Sequence, residues 1–159
     1  MQPRIYAVTF QEVTWTNAQG DIDLLSIDSA ADHPTELLGW GIYPTSEVAE
    51  AQEEWLKFSV TRGHTTVGSG GAAATARPLK QGDTAYSGSV RTNDTTVASA
   101  GTEIALWHFG VQVRAGDVMG PLPEGLGWQC FGSEFLVVRL EVAVTDDVTA
   151  SGSFWIAEY

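Results

Sequence analysis

The chain has 159 residues, enough for one domain with a sizeable core and too few for two comfortable ones. Its 43% hydrophobic and 18% charged content excludes a disordered chain, and 20 acidic against 8 basic residues leave a net charge of -12. Such acidity argues against nucleic-acid backbones and anionic lipid surfaces as partners, and no apolar run is long enough to cross a membrane as a helix.

The opening Met1-Gln2-Pro3-Arg4 lacks the apolar run of a secretion signal, and Cys130 stands alone, so no intrachain disulfide is expected. Both features suit synthesis in a reducing cytoplasm, with Cys130 as a small buried hydrophobe. Along the chain, short strands are predicted at Ile5–Phe10, Ile22–Ile27 and Glu36–Tyr43. One segment, Ser46 to Trp55, has helix-favouring composition and predicts one or two helical turns. After it, Leu56, Phe58 and Val60 alternate with Lys57, Ser59 and Thr61, the period of a strand with one wet face.

From Gly63 to Thr102 the chain has no Ile, Phe or Trp, so it predicts a loop or arm excursion at the rim, with weak strands near Ala74–Leu79 and Ser87–Thr92. Alternation resumes at Ala105, Trp107, Phe109, Val111 and Val113, which places Trp107 in the core. It recurs at Leu136, Val138, Leu140, Val142 and Val144, with Arg139 and Glu141 on the wet face, and a last strand is predicted at Ser153–Tyr159. Turn signals such as Gln19-Gly20-Asp21 and Ala115-Gly116-Asp117 separate these runs. The whole predicts a single all-β domain, 1–159, built as an antiparallel two-sheet, jelly-roll-like sandwich.

Motifs for chemistry are sparse. Gly68, Gly70 and Ala73 fit a loose dinucleotide spacing, but no strand-to-helix context follows. His33, His64 and His108 lie far apart without metal-ligand spacing, and Asp21-Ile22-Asp23 and Asp146-Asp147 read as solvated turns ahead of calcium sites. There is no nucleophile elbow, and abundant carboxylates alone do not make an acid–base pair. The expectation is therefore a protein that is not an enzyme and carries no metal or cofactor. Of the 6 tryptophans, Trp55 should point outward, opposite Leu56, and Trp128 sits in a glycine-rich loop setting. Exposed aromatics suit protein interfaces, or stacking platforms for sugars.

The stretch Ala51-Gln52-Glu53-Glu54, a strand, then Arg62-Gly63-His64-Thr65-Thr66 and a glycine-rich loop resembles a family of small β proteins from tailed bacteriophages. The opening Arg4-Ile5-Tyr6 strand and the closing Ser151-Gly152 to Glu158 segment extend that resemblance over most of the chain. The resemblance implies a virion structural component: a jelly-roll head decoration protein, made in the host cytoplasm, contacting the major capsid protein and itself as a homotrimer. Expected protein-interface residues are Trp55, Arg62, His64, Tyr86 and Trp128. The alternative is a carbohydrate- or receptor-binding sandwich of a phage tail.

Overall fold

A computed structural model describes residues 2–46, 54–132, 134–141 and 143–159. Among the described residues twelve strands follow in chain order, the first four being β1 (Arg4–Trp15), β2 (Ile22–Asp28), β3 (Thr35–Pro44) and β4 (Trp55–His64). Next come β5 (Ala72–Ala74), β6 (Arg77–Pro78), β7 (Ser89–Asp94) and β8 (Ile104–Gln112). The last four are β9 (Asp117–Met119), β10 (Trp128–Cys130), β11 (Phe135–Leu140) and β12 (Val148–Glu158). Among the described residues there is no helix. The helical turns expected from Ser46 to Trp55 fall on residues 47–53, outside the described residues, and Trp55 already opens β4.

One sheet runs β10-β3-β12-β1-β6, with β9 also on β3, and the other runs β5-β7-β2-β11-β4-β8. The pairs nest: β1 with β12, β2 with β11, β3 with β9 and β10, β4 with β8, all antiparallel. Four nested pairs folded over into two facing sheets are the topology of a jelly roll. Alternation supplies the core: Tyr6 and Val8 from β1, Trp40 and Ile42 from β3, Phe58 and Val60 from β4, Leu136 and Val138 from β11, and Phe154 and Ile156 from β12 all meet between the sheets.

The excursion is an insertion between β4 and β8, and it lies on the body of the sandwich. Its far part supplies β7 and β5 to the edge beside β2, while β6 pairs with β1 in the other sheet. Its outgoing and returning limbs zip together through Thr66↔Ser99 and Ser69↔Thr96. At the exit from β4 only glycine fits: Gly63 has φ +90°, and an added Cβ would sit 2.1 Å from the Thr102 carbonyl oxygen.

These limbs cover the outer face of the second sheet, which corrects the wet face expected for Arg139. That side chain is 8% exposed. Its Nε donates to Asp23 Oδ1 at 2.7 Å, Nη2 to the Ala98 carbonyl at 3.0 Å and Nη1 to Glu103 Oε2 at 3.0 Å. Asp23, fully buried on β2, also accepts the Ala98 N–H at 2.5 Å. A buried ion pair survives only when its remaining lone pairs and protons are satisfied, and here the returning limb satisfies them. Burial pushes the Asp23 carboxyl up, against the pull of the Arg139 guanidinium and the Ala98 amide.

Candidate functional site

The opposite flank is built differently. A run of rings leads from the core to its surface: Phe58 stacks on Phe109 at 5.2 Å, Phe109 on Trp40 at 4.2 Å, and Trp40 on Trp128 at 5.5 Å. Trp107 then tilts against Trp128 at 6.1 Å and ends the series half in solvent, 49% exposed. The core position expected for Trp107 is thus corrected. Its strand face is the inward one, opposite Val60, but β8 is the outermost strand of its sheet and Trp107 has little beyond Trp128 to close over it. Ring stacking of this kind fixes orientation as well as burying area.

Beside Trp107 lies a shallow groove of about 350 Å³, lined by Arg62, Leu106, Gly125, Gly127, Trp128 and Gln129. Arg62 forms one wall, its Nη1 donating to the Gln129 carbonyl at 3.3 Å. The glycine wall is held from beneath by Glu36, a carboxylate fully buried on β3. Glu36 accepts the Gly125 N–H at 2.9 Å, the Gly127 N–H and the Tyr159 hydroxyl. Burial and the neighbouring Glu36 carboxylate push the Tyr159 phenol up to about 12. Trp40 is tied by its indole N–H to Asp117 Oδ2 at 2.8 Å, so the stack beneath the groove is clamped. The lining offers one cation, one side-chain amide and aromatic or apolar faces, a set suited to non-covalent recognition.

Of the residues expected at an interface, the structure brings Arg62 and Trp128 together in this groove. Trp55 is on the outer face of the β4–β8 pair, 65% exposed and lying across Gly110. Tyr86 is on the far flank, half-buried, its hydroxyl bonded to Thr35 Oγ1 at 2.8 Å and its ring edge-on to Tyr6. His64 is buried at the end of β4, which removes it from the surface of this chain. Its Nε2 lies 3.1 Å from Thr61 Oγ1 and 3.3 Å from Glu103 Oε2, within the network of Arg139. Burial, and then the Arg139 charge, hold its pKa below the usual histidine value.

The other histidines keep separate partners: His33 Nδ1 with the Tyr159 carbonyl at 3.0 Å, and His108 with Glu141 at 3.5 Å. Among the described residues, no group of three or more His, Cys, Asp or Glu is placed to hold a metal ion. The spacing that suggested a dinucleotide loop serves close packing instead, since a Cβ on Gly68 would meet the Thr96 carbonyl oxygen at 2.6 Å. Sequence reasoning missed Glu36, Leu126 and Phe131; the last two flank β10 and are 68% and 63% exposed. The signal for Glu36 was available: a carboxylate at the head of the predicted strand, directly before the apolar run Leu37-Leu38-Gly39-Trp40.

No protein-family model matches the sequence, and no curated protein matches it. Among solved structures, one described as the structure of infectious bursal disease virus Gx strain is similar at a TM-score of 0.26 and 20% identity. The match covers 99% of this chain and 41% of that one, so this chain spans about two-fifths of its length.

Proposed function

We propose that this chain is a non-enzymatic structural protein of a bacteriophage virion, a head decoration protein that grips the major capsid lattice through its aromatic flank. The observation that carries the reading is the exposed apolar surface along the segment of β10: Leu126 and Phe131 stand on either side of the strand that carries Trp128, whose ring meets the half-exposed Trp107. Exposed apolar side chains grouped in this way are the usual mark of a protein interface. The mechanism is burial: each copy covers a junction between capsid subunits, removing about 1,200–2,000 Å² from water and resisting internal pressure. The acidic remainder of the surface keeps particles apart and does not trap DNA.

The test is direct. Purified protein added to capsids lacking it should raise their melting temperature, and Leu126→Ala with Phe131→Ala should abolish the gain. Capsid melting unchanged at saturating protein refutes the reading.

A second reading, a carbohydrate-binding or receptor-binding domain, is favoured by the groove itself, where the Trp128 face stands beside Arg62 and Gln129. It predicts saturable saccharide binding on a glycan array, lost in Trp128→Ala and kept in Phe131→Ala.

A further inference from the structure

The edges of the two sheets are not alike. β5, β6, β9 and β10 have 3, 2, 3 and 3 residues, too short to template another strand. β8 has 9 residues, Ile104 to Gln112, and β4 is the one strand it pairs with among the described residues, its last residue also bridging Gly116 across the turn. In antiparallel pairing, alternate residues turn their N–H and C=O groups away from the partner, so about half of β8 presents main-chain donors and acceptors outward. It carries no lysine, no proline and no formal charge in Ile-Ala-Leu-Trp-His-Phe-Gly-Val-Gln, and a single bulge at Leu106 interrupts a ladder with β4 that is otherwise regular from Trp107 to Gln112.

We propose that β8 pairs antiparallel with β8 of a second copy of this chain about a two-fold axis, joining two six-stranded sheets into one continuous sheet. Charge selects the occupant. A molecule of net charge -12 repels its own copy through most of its surface, and this strand, without a formal charge, is where two copies approach at least cost. Symmetry agrees with charge: a strand meeting its own copy antiparallel is self-complementary, so any edge that can pair once can close a dimer with no second patch. A three-fold ring would require β8 to meet a different edge, and the others offer only 2 or 3 residues. The pairing draws on the main-chain edge, whereas Leu126 and Phe131 belong to the segments around β10; Trp107 borders both surfaces, and the variant Leu126→Ala with Phe131→Ala, which leaves β8 intact, should dimerise whether or not it binds capsids.

Sedimentation equilibrium of the full chain should give twice the chain mass of 17.0 kDa at micromolar concentrations. Ala105→Lys, an exposed β8 position, should weaken association at least about tenfold by setting a charged side chain on each copy's edge strand, with the circular dichroism of the fold retained. In the wild type, amide exchange within Ile104–Gln112 should slow as concentration rises. A monomer at every concentration, a trimer, a dimer as tight in Ala105→Lys, or β8 exchange indifferent to concentration would each overturn the proposal.

Discussion

The two flanks of the sandwich solve the same problem in opposite ways. On the flank of β5 to β7, a chain segment poor in large apolar residues is held to the sheets by charge: Asp23 and Arg139 grip Ala98, Asp94 accepts the Gly71 N–H at 3.0 Å and pairs with Arg91, and Glu158 accepts the Ser87 N–H at 2.8 Å. On the flank of β8 to β10, rings stacked from Phe58 to Trp107 reach the surface and stop there uncovered. One flank spends its polar groups on closing itself. The other keeps a stiff apolar face open, which is what a partner requires.

The largest effect should come from breaking the closed flank. Arg139→Ala leaves Asp23 buried without its cation, and unfolding in denaturant should show a loss of about 3–5 kcal/mol. Limited proteolysis should then cut between residues 64 and 103 in the variant and spare that segment in the wild type. A smaller change follows from pH. His64 is held below its ordinary pKa, so below roughly pH 6.5 the unfolded chain takes up a proton that the folded chain refuses. Stability should therefore fall as pH drops through that window, by at most about 1.4 kcal/mol per unit, and His64→Gln should flatten the slope between pH 6.5 and 5.

Smaller again, Glu36→Gln replaces one of the two acceptor oxygens under the groove with an amide nitrogen. Amide exchange at Gly125 and Gly127 should quicken several-fold while the global unfolding free energy falls by about 1–2 kcal/mol. The least effect on folding belongs to the open flank's outer face: Trp55→Ala should stay within about 0.5 kcal/mol of the wild type. A loss several times that size would mean Trp55 belongs to the closed design and not the open one.

What the sequence made legible follows the same division. Local alternation placed Leu56, Phe58 and Val60 on one face of β4 and Leu136, Val138 and Leu140 on one face of β11, because a strand's period of two is written in consecutive residues. It also put Trp107 on the right face. Lateral position in a sheet is a long-range property, however, so an inward face on an outermost strand looked like core. Arg139 and His64 failed for the complementary reason. Their neighbours Asp23, Ala98 and Glu103 are distant in sequence, and nothing local announces which segment will cover a polar face. Arg62 and Trp128 were singled out by sequence, but their meeting across a groove depends on the β4 end and the β10 loop converging in space.

The central place of β12 bears on how the molecule is made. This strand lies between β1 and β3, and its partners along β1 run from Arg4↔Glu158 to Trp15↔Val148. A ribosome delivers β1 more than a hundred residues before it delivers β12, so β1 and β3 must wait with unmatched sides while the rest is synthesised. Closing so long a loop is slow, which makes completion of the first sheet a late step in folding and leaves the edges of β1 and β3 open until then.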